Sequence, residues 1–216
     1  MQRCRLLTTL LALLLLPLAG CDDGSGISAP DVDPLLVQQT GEALFGADVM
    51  VGEMMEDEAT GSGLNPGAAT TDGTIEITVT FDVTVDCPLG GELNLAGEMH
   101  DSLDFSTFTR ATTFDASKTM TECVFEEQGE VLTVDSNANV EASRRFVRGH
   151  PDGLQTKGYA GSITAVRQSD GEMLTCDFSA RAELDPDSHI YSFEASICGN
   201  EYSKTVTWNP DEGGEN

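Results

Sequence analysis

Few side chains in this sequence can carry chemistry, and they are unevenly placed. Six cysteines occur, Cys4, Cys21, Cys87, Cys123, Cys176 and Cys198. A thiolate can act as nucleophile, ligate a soft metal or pair as a disulfide. No C-x2-C spacing is present, and no histidine lies within five residues of Cys87, Cys123, Cys176 or Cys198, which argues against a zinc site. His100, His150 and His189 stand apart, without H-E-x-x-H or G-x-S-x-G. Acids cluster at Glu53 with Glu56 to Glu58, Asp101 with Asp104, Glu126 with Glu127, Asp185 with Asp187, and Asp211 with Glu212. Calcium needs several oxygens converging at about 2.3–2.6 Å. The stretch "DPDS", Asp185 to Ser188, is the nearest approach to such a loop. The one basic island is "RRFVR", with Arg144, Arg145 and Arg148. It is an anion-binding candidate for a carboxylate, a sugar phosphate or an acidic partner. The simpler role for these arginines is to neutralise acids on adjacent strands. No catalytic residue, resident metal or cofactor is assigned, and the chain is read as a non-enzyme.

The position of Cys21 sets it apart from the other cysteines. Arg3 and Arg5 open the chain, and Leu6 to Ala19 carry no charge. This is the basic start and apolar core of an export signal. It is shorter than the ~20 apolar residues a comfortable membrane span needs. Leu18-Ala19-Gly20-Cys21 then resembles the lipobox of bacterial lipoproteins, over residues 1–21 only. The resemblance implies that the Cys21 thiol receives a diacylglycerol, that cleavage removes residues 1–20, and that the new N-terminus is acylated. Two or three acyl chains give stable anchoring where one gives marginal binding. The implied location is the bacterial cell envelope, anchored to a membrane on the exported side.

Export changes how the remaining composition is read. Residues 1–20 hold two of the 11 basic residues and no acid, so 9 Lys+Arg then face 37 Asp+Glu, a formal charge of −28. That argues against nucleic acid as a partner, which needs an extended basic face for its phosphates. It also argues against docking on anionic headgroups by charge, so the lipid at Cys21 is expected to do the anchoring. Only Lys118, Lys157 and Lys204 supply lysine. Abundant acid with scarce lysine suits either plain solubility or a salty medium that screens self-repulsion. Four cysteines remain, allowing three pairings. Cys87–Cys123 and Cys176–Cys198 are favoured because each pair lies in one half of the chain. Each would add about 3–4 kcal/mol by loop closure.

The elements that must position these groups follow from periodicity. Residues 21–32 read as a lipidated tether, reaching about 20 Å. A single domain over 33–208 is expected, followed by a disordered acidic tail at 209–216. Residues 33–58 form the one helix candidate, with Asp33 as N-cap and Pro34 at the first turn. Leu36, Val37, Ala43, Leu44, Ala47, Met50, Val51, Met54 and Met55 share one side. Gly41, Gly46 and Gly52 each cost about 1 kcal/mol, so the helix requires packing. Packing across a sheet is the expected role of this stripe, and an adaptable Met-rich binding face is the alternative. Residues 59–73 read as a loop.

From Thr74 the period is two: Ile75, Ile77, Val79, Phe81, Val83, Val85 and Cys87 alternate with polar residues. Further strands are predicted at 91–99, 102–110, 119–127, 130–148, 157–168, 172–184, 189–198 and 201–208. The expected fold is mainly β, a strongly curved antiparallel sheet or barrel of about nine strands with the N-terminal helix packed on it. A β-sandwich is the alternative. Three functions fit this outline. The first is a non-catalytic envelope domain that binds or scaffolds an envelope protein. The second is a β-barrel carrier of an apolar ligand such as a lipid. The third is an envelope hydrolase.

Overall fold

The computed structural model describes residues 32–61 and 73–207. The expected signal segment, Cys21, most of the tether, most of loop 59–73 and the acidic tail lie outside them. Helix α1 spans Pro34–Gly61, three residues beyond the predicted end. Asp33 caps it as expected, its Oδ1 accepting the Leu35 N–H at 2.9 Å. Strands β1 (Thr74–Asp86), β2 (Glu92–Asp104), β3 (Thr109–Glu127) and β4 (Glu130–Val147) follow. The two-residue β5 (His150–Pro151), then β6 (Gln155–Arg167), β7 (Met173–Asp185), β8 (Ile190–Ile197) and β9 (Asn200–Thr207) complete the elements of the described residues. They form one antiparallel meander, β1-β2-β3-β4-β6-β7-β8-β9, with β5 beside β4.

This is one sheet, so the sandwich is excluded, and it stays open between β1 and β9. The helix reveals the curvature. Gly41 lies against the Tyr202 ring of β9, and Gly46 faces Phe125 of β3, five strands away. A helix is about 10–12 Å wide, whereas five strand spacings amount to about 24 Å. The sheet must therefore curl around α1 to touch it from both sides within two turns.

Period-two burial puts one face inward along every long strand. Leu95, Lys118, Ala138, Gly161, Phe178 and Ile197 stand side by side in register across this face. The neighbouring row is Met99, Phe114, Ala142, Lys157, Ala182, Phe193 and Lys204. Alanines between large residues make the trough into which the helix fits. Leu36, Ala43, Leu44, Ala47, Val51, Met54 and Met55 are buried there, so the apolar stripe is a packing face. Burial of each Leu or Met contributes about 1.5–3 kcal/mol, which offsets the glycines. Gly41 has a further reason: an added Cβ would stand 2.3 Å from the Tyr202 ring.

One strand prediction is wrong. Residues 102–110 are not a strand. Residues 102–104 end β2, 105–108 form a turn, and β3 begins at Thr109 and runs through 111–118 without a break. Asp104 ends β2 because its carboxylate gathers the turn's donors, with Ser106 N and Oγ both at 2.7 Å and Thr107 Oγ1 at 2.8 Å. Both favoured disulfides are present, Cys87–Cys123 and Cys176–Cys198, with Cα separations of 5.4 and 5.3 Å. The first ties the β1–β2 turn to a bulge in β3 between Met120 and Cys123. The second ties β7 to the β8–β9 turn.

Candidate functional site

The inner face carries more charge than its apolar period suggests. Lys118 continues the inward phase of Phe114, Ala116 and Met120, and it is 1% exposed. Its ammonium lies over the Tyr159 ring at 4.9 Å and the Phe178 ring at 6.0 Å. Burial pushes its pKa down to about 8, with Lys157 adding to the fall and Asp48 opposing it. Asp48 projects from α1 at 1% exposure, one turn beyond Leu44. Its carboxylate receives Lys157 Nζ at 2.8 Å and the Tyr159 hydroxyl. Desolvation, then the Asp48 charge, holds the Tyr159 phenol well above its usual range. Lys204 of β9 reaches Glu42 of α1. Arg167 of β6 takes Asp33 at 2.7 Å and Asp170 at 2.8 Å. Lys157 and Lys204 thus meet acids of α1, and Lys118 lies close enough to feel the Asp48 charge. The set is a clamp, with cations on the sheet and carboxylates on or beside the helix.

A second site lies past the helix at one end of the trough. The 105–108 turn and the Arg148-Gly149 turn are joined by Arg148 N–H donating to Phe108 O at 2.8 Å. With Leu103, Arg110 and Phe146 they line an open concavity of about 790 Å³. Phe105 and Phe108 are 48% and 59% exposed. Arg110 is committed to Asp101, its Nε lying 2.8 and 2.9 Å from the two carboxylate oxygens. Thr112 donates to the same carboxylate at 2.8 Å.

The basic island is divided by strand alternation. Arg145 points outward and pairs with Asp152 at 3.2 Å, the neutralising role. Arg144 points inward, over the Phe114 ring at 5.7 Å. Arg148 borders the apolar concavity and makes no ion pair among the described residues. The three arginines therefore do not form one patch.

On the outer face an open groove of about 830 Å³ passes His100, Asp115, Asn139, Glu141 and Arg181. Here Glu98, Asp115 and Glu141 are direct cross-strand neighbours on β2, β3 and β4. His100 Nδ1 lies 3.0 Å from Thr78 Oγ1. Among the described residues, no three Asp, Glu, His or Cys side chains converge as a metal-ligand set. The "DPDS" carboxylate of Asp185 closes its own turn, accepting Asp187 N–H at 3.0 Å and the Ser188 hydroxyl at 2.6 Å.

Asp48, Lys118, Lys157, Tyr159, Phe105 and Phe108 are absent from the sequence-based site candidates. A polar residue in an apolar phase was the available signal for Asp48, Lys118 and Lys157. No family model, curated protein or solved structure matches this chain.

Proposed function

We propose that this chain is a lipid-anchored, non-catalytic domain of the bacterial cell envelope with a binding or structural role. The observation that carries this reading is the filled interior. Leu44, Ala47, Asp48, Val51 and Met55 of α1 occupy the trough that a carrier would leave for its ligand. A carrier's pocket encloses most of its ligand within about 300–1,000 Å³ of largely apolar cavity. The outer-face groove and the concavity at the 105–108 turn instead open onto the surface, so neither encloses a ligand as a carrier's interior does. Lys118 and Tyr159, both strongly shifted by burial, are buried on the inner face where α1 packs, and burial there supports a structural role for them. The lipobox at residues 18–21 supports the anchor, and the two disulfides agree with an oxidising compartment.

The test is metabolic labelling of the full chain with a clickable palmitate in a bacterial host. Label and detergent-dependent extraction are expected for the wild type, and both are lost in Cys21→Ser. Label that survives in Cys21→Ser, or a protein released by salt alone, overturns the anchor. Hydrogen exchange tests the filled interior. The α1 amides at 43–51 should be protected like those of β4, and exchange within seconds would reopen the carrier reading.

A further inference from the structure

We propose that the concavity between the 105–108 and 148–149 turns binds an amphipathic anion, one apolar chain or ring system bearing a carboxylate or phosphate. The inference rests on the chain being a binding domain and names the ligand class and the site.

Residue choice at the loop is the first ground. Two hairpin loops in this protein share one backbone plan. Asp104 starts one and Asp185 the other, and each accepts the N–H two residues on and a hydroxyl within the loop. Each ends on a residue at positive φ, Phe108 at 53° and His189 at 55°. The second loop is filled with Pro186, Asp187, Ser188 and His189, ordinary turn residues. The first places phenylalanine at both ends. A bulky aromatic in the left-handed region is strained, and Phe108 is also the most exposed of the aromatic residues described. The turn plan does not require these rings. Local rules broken without structural return mark functional positions.

Charge is the second ground. Phe105, Phe108, Leu103 and Phe146 supply an apolar wall. Arg110 beside them is neutralised by Asp101. Arg148 is not neutralised among the described residues, and it stands at the rim of an apolar basin in a chain of net charge −26. A guanidinium with no ion-pair partner among the described residues, beside an apolar wall, complements an anionic head on an apolar body. The volume, about 790 Å³, is in the range of small-molecule sites. The site is concave, which suits a single inserted molecule over a flat bilayer. A second copy of so acidic a chain would be repelled.

The test uses the full-chain protein in phosphatidylcholine nanodiscs with a diazirine-bearing hexadecanoic acid, and the matched hexadecanol as control. Saturable crosslinks are expected on residues 103–110 and 146–149, at least tenfold stronger with the acid than with the alcohol. Arg148→Gln should bring the acid down to the alcohol level. Phe108→Asn should reduce both probes tenfold and raise the melting temperature, since asparagine tolerates the left-handed region. Label spread over the surface, or equal labelling by acid and alcohol, overturns the proposal. A diazirine phospholipid built into the disc that labels these peptides as strongly as the free acid assigns the face to the membrane, and also overturns it. If Cys21 carries no lipid, the same labelling runs in free solution, so failure of the anchor and failure of the site are separate results.

Discussion

The two faces of the sheet treat charge in opposite ways. Inside, under α1, Lys118 and Asp48 are each 1% exposed, and Lys157 and Tyr159 converge on one carboxylate. Outside, Glu98, Asp115 and Glu141 stand shoulder to shoulder on three strands, like charge beside like charge. Water and salt screen the outer row, so its repulsion is small. The inner groups have lost water and depend on one another, so each carries a large energy of either sign. Position relative to the helix, and not residue type, decides what a charge is worth here.

The largest expected effect breaks the inner set. Asp48→Asn leaves Lys157 and Lys118 without their carboxylate and should lose about 3–5 kcal/mol of stability in urea unfolding. A loss below about 1 kcal/mol would show that the inner charges behave like surface charges, and the contrast would fall.

Lys118→Met tests the sign. Burial has depressed the Lys118 pKa from 10.5 to about 8, so the charged form is penalised in the fold. Below pH 8 both folded and unfolded chains hold this proton, and the full penalty, about 3 kcal/mol, is present. Between pH 8 and 10.5 the unfolded chain holds the proton and the folded chain does not, so stability rises with pH. Tyr159 acts in the other direction. Its folded pKa is raised, so above pH 10 the unfolded chain loses a proton that the fold retains, and stability falls. Wild-type stability should therefore peak near pH 10. Lys118→Met should be more stable at pH 7 and lack the rise; a less stable variant at pH 7 would make Lys118 an essential partner of Asp48.

Gly41→Ala should cost about 1–3 kcal/mol by overpacking against Tyr202, reversing the gain that glycine-to-alanine gives in an exposed helix. A raised melting temperature would show that α1 does not sit this close to β9. The smallest effect is outside. Glu141→Gln should gain a few tenths of a kcal/mol at low salt and nothing in 1 M NaCl. A melting temperature of the wild type that does not rise with NaCl would count against self-repulsion on this face.

Much of the fold is legible in the sequence because its rules are local. Alternation from Ile75 to Cys87 marked β1, and Asp33-Pro34 marked the start of α1. The break between β2 and β3 is hard to read because Phe105 and Phe108 mimic strand residues, while the turn signal is a single aspartate and two hydroxyls. Lys118 is not legible as a core residue because a lysine in the inward phase of β3 reads as a solvent-facing position.

The candidate site was barely legible. "RRFVR" reads as a patch of three arginines, but alternation sends Arg145 outward to Asp152 and leaves only Arg148 of the three at the basin. Phe146 lies within the motif, but Phe105 and Phe108, which complete the basin, lie about forty residues earlier in the chain.

The sequence by itself determined the period of each strand, the cap of the helix and the residues available to each turn, because steric and hydrogen-bond preferences act over a few neighbours. The pairing of cysteines within each half was also readable, since short loops close at low entropic cost. Only the tertiary structure decided that the sheet curls far enough for β3 and β9 to grip one helix. It also decided that Lys118 is buried and that the 105–108 and 148–149 turns meet. These depend on the summed twist and register of several strands, and no local preference encodes that sum.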